Sequence, residues 1–155
     1  MYKKVRNLFV YLAEDLKEIK SYDEGLSKSQ NNSNIKQYPQ IFFERPSLVT
    51  LQGSGDQRFE VTVLFIDRSI TIESDSAICD CLDKMLNITN QGFELLKKAC
   101  RSQNWSITEN SKLDIEDVNA DKITGWRVQY TIEVTKNNSN CELVSNGLNF
   151  KDYVN

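Results

Sequence analysis

From Ile123 to Val134 the chain alternates. Trp126, Val128, Tyr130, Ile132 and Val134 fall on one side, and Arg127, Gln129, Thr131 and Glu133 on the other. A period of two predicts an antiparallel strand with one solvated face, and therefore a sheet covered on one side. A different period governs the N-terminus. Val5, Leu8, Phe9, Leu12, Leu16 and Ile19 recur at three and four, which predicts an amphipathic helix over residues 3–20. Its apolar stripe must lie against something equally apolar.

Residues 21–37 lose all periodicity and read as a polar connection. Tyr38 to Glu44 reads as a short strand with Pro39 at its entry and Pro46 ending it. Leu48–Leu51 and Arg58–Asp67 flank the Gly-containing stretch Gln52–Gln57, which predicts a hairpin. In its second arm Phe59, Val61, Val63 and Phe65 face one way. Leu64 and Ile66 make the far end apolar on both faces, so that end should be covered twice. Ser74 to Ser76 offers capping residues before Ile78, Leu82, Met85 and Leu86. Thr89 or Asn90 could cap a following helix with Phe93, Leu96, Ala99 and Cys100. Two short helices, or one broken at Asn87, are expected. Trp105–Glu109 reads as a strand, Lys112–Lys122 as an acidic loop or single helical turn, and Ile123–Val134 as the closing strand. The fold class implied is α+β, an antiparallel sheet with helices packed on one face. Residues 1–135 form its single domain, with the polar insertion at 21–37, and residues 136–155 a polar C-terminal extension.

Length allows a core without staples. A chain of 155 residues buries about 68 to 70% of its unfolded surface. No apolar run approaches the roughly 20 residues that cross a bilayer, and charges at Glu14, Asp15 and Lys17 interrupt any signal-like apolar region. A formal charge of -3 and a pI near 5.1 argue against a phosphate-neutralising DNA-binding face. A cytosolic origin is expected.

The candidate chemistry is sparse. The absence of histidine removes Ser-His-Asp and Cys-His arrangements and the commonest general base, so no catalytic set is expected. Cys79, Cys81, Cys100 and Cys141 lack the paired spacing of a zinc site and read as free thiols, Cys79 and Cys100 on apolar helix faces. Gly53-Ser54-Gly55 leads into a strand, whereas phosphate-binding glycine loops open a helix. Asp114, Glu116, Asp117 and Asp121 cluster. However, an EF-hand count from Asp114 puts Asn119 at the glycine position and Gly125 at the closing glutamate. A solvated acidic loop is expected. Lys97, Lys98 and Arg101 sit in the last turn of a helix, where cations complement its dipole. Trp105 and Trp126 read as core anchors. No metal or cofactor is implied.

The N-terminal amphipathic helix, the YPQIFFE strand, the hairpin ending FEVTVLFIDR, the helical middle and the closing GWRVQYTIEV together resemble one family. It comprises the tail-terminator or tail-completion proteins of long-tailed bacteriophages and related neck and tail ring proteins, a likeness spanning roughly residues 3 to 135. The resemblance implies a structural virion protein and no enzyme. It also implies a homo-oligomeric ring around the DNA conduit, joined to portal, connector or tail proteins, with DNA passing through the lumen without sequence-specific contact. Localisation would be the virion tail or neck, after synthesis in the host cytoplasm. Candidate interface residues are Leu143, Val144, Leu148 and Phe150 in the extension and Gly53, Asp56 and Arg58 at the hairpin. The extension is poor core material and is expected to order against a neighbouring subunit or virion protein. The alternative reading is a small cytosolic protein-binding module that takes a peptide strand on an exposed sheet edge.

Overall fold

The computed structural model describes residues 1–26, 37–52, 55–68, 75–116 and 123–135. Its elements run α1 (Tyr2–Asp15), β1 (Ser21–Gly25), β2 (Gln40–Leu51), β3 (Gln57–Arg68), α2 (Asp75–Ser102), β4 (Trp105–Glu116) and β5 (Ile123–Val134). The fold class is α+β. The five described strands form one sheet in the order β1-β2-β3-β5-β4. β2, β3, β5 and β4 pair antiparallel, but β1 lies parallel to β2, from Ser21 beside Gln40 to Gly25 beside Glu44. The sheet is therefore mixed, which corrects the all-antiparallel expectation. The polar connection is corrected with it. Ser21–Gly25 carries no apolar alternation because it is an edge strand whose side chains are only half-buried until Gly25.

Both helices pack on one face of the sheet. Val5, Leu8, Phe9 and Leu12 from α1, with Met85, Ile88, Leu96 and Ala99 from α2, meet Phe43, Phe59, Val61, Val63, Phe65, Val128, Tyr130 and Ile132. The aromatic rings interlock. Phe9 lies 5.3 Å from Phe43 and 5.9 Å from Tyr130, and Phe93 stacks on Tyr130 at 6.0 Å. Each such side chain taken from water contributes about 1.5–3 kcal/mol, so this layer dominates stability. α1 stops at Asp15, earlier than its periodicity suggested, yet Leu16 and Ile19 stay buried in the turn that follows.

α2 is continuous for 28 residues. The break expected near Asn87 does not occur: Thr89 is fully buried inside the helix, its hydroxyl satisfied by donating to the Leu86 carbonyl at 2.7 Å. A helix that long spans the sheet, and its Lys84 pairs with Asp67 near the end of β3 at 2.8 Å.

The double covering expected of β3 is present. Phe42, Leu64, Ile66 and Ile123 form a second buried cluster with Tyr38 and Ile115 against it, on the face away from the helices. β4 runs on to Glu116, so Lys112–Glu116 is strand where a loop or turn was expected. Its register shifts between Glu109 and Ser111, where the Asn110 amide donates to the Thr131 hydroxyl at 2.8 Å. Asp117 and Asp121 of the acidic cluster lie outside the described residues.

Three expected core residues are only half-buried. Leu82, Phe93 and Trp126 sit at the seam between α2 and β5, and the Trp126 indole N–H donates to the Leu82 carbonyl at 2.9 Å. Their periodicity placed them on the right face, but that face ends there. Cys79 is likewise exposed and not on the apolar stripe, whereas Cys81 is half-buried and Cys100 buried. All three are free thiols. Cys141 lies outside the described residues. Among the described residues, no helix is long and apolar enough to cross a membrane.

Candidate interface at the edge of the sheet

β2 is one strand made of two unlike halves. Gln40–Glu44 lies between β1 and β3, and Ile41, Phe42 and Phe43 are buried. After Glu44 the register slips until Leu48 meets Glu60, and Arg45, Pro46 and Ser47 fill the irregularity. A proline is tolerated in such a place because no ladder hydrogen bond is asked of it. Pro46 therefore interrupts the ladder and the strand continues, where the sequence suggested an end.

The second half, Leu48–Leu51, pairs with Gln57–Glu60. β1 ends at the level of Glu44, and no described strand takes up the other side. Leu48 is 58% exposed, Val49 43% and Leu51 72%. Register sets their directions. Val49 lies beside Phe59 and shares the helix face, while Leu48 lies beside the exposed Glu60 on the opposite face. Apolar side chains exposed on both faces of a strand make a contact surface of a kind that isolated proteins normally keep small.

The apolar surface continues past the irregularity. Tyr2, Leu26, Arg45 and Ser47 line an open depression of about 570 Å³ beside the arm. Leu26 is 61% exposed, and the Tyr2 ring leans edge-on against buried Phe43 at 6.4 Å. The neighbouring strand end is fixed by charge. The Arg6 guanidinium donates to the Glu24 carboxylate, and the Tyr22 hydroxyl donates to the same oxygen at 3.1 Å. Burial works to raise the Glu24 pKa, but the hydrogen bonds from Arg6 and Tyr22 and the charges of Arg6 and Arg45 outweigh it. The carboxyl is held below the ordinary range. Tyr22 is pushed up by burial first and then by the Glu24 charge.

At the hairpin, the Gln52 amide donates to the Asp56 carbonyl at 2.9 Å and the Gly55 amide donates to the Gln52 carbonyl at 2.8 Å. Gly55 has φ 83°, which suits only a residue without a side chain to clash. Asp56 is half-buried at the base of this turn. Arg58 is half-buried, lies between Thr50 and Glu133, and pairs with Glu60 at 3.5 Å. Asp56 and Arg58 are thus brought to the same end of the sheet as Leu51. Gly53, Leu143, Val144, Leu148 and Phe150 lie outside the described residues. Sequence reasoning missed Leu48, Val49 and Leu51 as contact residues. The available signal was Leu-Val-Thr-Leu itself, a run without strict alternation in a hairpin arm.

No protein-family model matches this chain, and a search of curated proteins finds no match. The fold and its exposed apolar row therefore carry the functional reading.

Proposed function

We propose that the protein is a structural, non-enzymatic virion component that forms a homomeric ring around the DNA conduit of a bacteriophage neck or tail, against portal, connector or tail proteins. The observation that carries the reading is the exposed apolar row Leu48, Val49 and Leu51 on β2, because such a surface calls for a protein partner. The element order that resembles tail-terminator and neck ring proteins supports it. Head-to-tail contacts close into rings when the rotation permits. A chain of formal charge -3 also suits a conduit, since a strongly basic lumen would hold the phosphates and slow passage.

The test is mass spectrometry and imaging of virions from a phage that encodes the chain. Stoichiometric presence in a ring at the neck or tail is the expected outcome, and absence from purified virions refutes the function. The same edge favours a second reading, a cytosolic module that binds a peptide strand by β-augmentation. A stable monomer recovered with a bound foreign peptide, and absent from virions, would establish that alternative.

A further inference from the structure

We infer that two copies of the chain pair back to back through the outward ridge of α2, with the helices antiparallel and the acidic half of each facing the basic half of the other. Such a two-fold contact stands apart from the ring reading and does not rest on it.

The ridge is set by the helix itself. Met85, Ile88, Gly92, Leu96 and Ala99 fix the buried face. At about 3.6 residues per turn the opposite side carries Asp80, Asp83, Asn87, Glu94, Lys98 and Arg101, and all six are exposed. Their successive spacings are three, four, seven, four and three, a series that reads the same from either end. A second copy of α2 laid alongside in reverse therefore matches the first level by level. Asp80 falls opposite Arg101, Asp83 opposite Lys98 and Asn87 opposite Glu94, with the two-fold axis between Asn90 and Gln91.

The charges follow the same symmetry. Both aspartates lie on one side of the axis and both cations on the other, so reversal brings opposite signs together at every charged level of an isologous contact. A parallel pairing in register would set Asp80 against Asp80 and Lys98 against Lys98. Complementing the helix dipole accounts only for charges in the end turns, which here are Asp75 and Arg101. Asp80, Asp83 and Lys98 lie inside those turns.

The chain itself does not use these charges. The ion pairs made by α2 among the described residues are Lys84 with Asp67 and Lys97 with Glu94, and none takes up Asp80, Asp83, Lys98 or Arg101. From Asp80 to Arg101 the ridge runs about 32 Å, long enough to hold all these levels along one seam. A seam of exposed ion pairs makes a modest contact, and salt weakens it.

Sedimentation of the full-length chain tests the pairing. The wild type should form dimers and nothing larger, and raising the salt from about 20 mM to about 500 mM should weaken association at least about tenfold. Asp80→Lys with Asp83→Lys makes both halves of the ridge basic, and Lys98→Glu with Arg101→Glu makes both acidic. Each double variant alone should lose at least about tenfold in association, because every charged level then sets like against like. Mixed together, they should form a 1:1 complex at least as tight as the wild-type dimer, which also shows that both are folded. The variant with all four changes keeps the formal charge of -3 and should dimerise as the wild type does, which separates pairing from net charge. A wild-type chain that stays monomeric at about 1 mM in low salt would overturn the inference. So would growth beyond the dimer, unaltered association in either double variant, or failure of the four-change variant to pair.

Discussion

Two glycines carry opposite instructions. A Cβ at Gly125 would lie 2.0 Å from the Phe65 carbonyl oxygen and 2.9 Å from the Ile66 Cα, which is backbone that cannot step aside. At Gly92 the same atom would meet only side chains of Leu12, Leu16 and Phe65 at 3.5–3.6 Å, ordinary van der Waals contact in a helix interior. Gly125→Ala should therefore cost at least about 2 kcal/mol by forced displacement, whereas Gly92→Ala should stabilise by about 0.5–1 kcal/mol through helix propensity. Urea melts of the two variants check the pair, and equal signs would refute it. Trp126→Phe should lose about 1 kcal/mol with the bond to Leu82, and Trp126→Ala about 3 kcal/mol, low for a large aromatic because Trp126 is half-buried. Burial pushes the Cys100 thiol up to about 12, while Cys79 is exposed. A thiol reagent near pH 8 should modify Cys79 at once and Cys100 only as fast as the chain opens.

At the scale of elements, β1 is half-buried until Gly25 and carries a charged contact to α1. Its Tyr22 and Glu24 are tied to Arg6 on α1, so this contact fastens the N-terminal helix to the sheet edge. The Glu24 pKa lies below its ordinary value of 4.5 in the folded chain. Stability from the contact is therefore present above that ordinary value and is lost as pH falls through the folded one. Glu24→Gln should lower the urea midpoint more near neutral pH than at about pH 3, because less of the native carboxyl is ionised in acid. An equal loss at both pH values would show that the side chain acts through packing and not charge. α2 holds without its expected break because tertiary contacts along its buried face outweigh the weak helix preference of Asn87 and Thr89.

For the whole molecule, the helices close one face of the sheet, and the distal half of β2 presents exposed apolar side chains. Deleting residues 137–155 should shift the melting temperature by no more than about 4 °C. The same deletion should leave particles with defective necks or tails. Calorimetry and particle imaging read the two halves separately, and normal tails from the truncated chain would refute a docking role for the extension.

What the sequence determined by itself was whatever repeats with a period. α1, the helix face of β3 and the whole of β5 follow from alternation or from three-and-four spacing, and the α+β class follows from their order. The double covering of β3 was legible in Leu64 and Ile66, whereas Pro46, read as a strand end, marks only an irregularity inside β2. Tertiary structure alone decided what has no period. β1 is a strand because β2 offers it a ladder, not because Ser-Tyr-Asp-Glu-Gly prefers one. β4 continues to Glu116 because β5 runs beside it that far. The openness of Leu48, Val49 and Leu51 is likewise not written in their identities. An apolar residue reads the same in a core and at an edge, and only the pairing of strands, which sets Leu48 beside the exposed Glu60, shows this row as exposed.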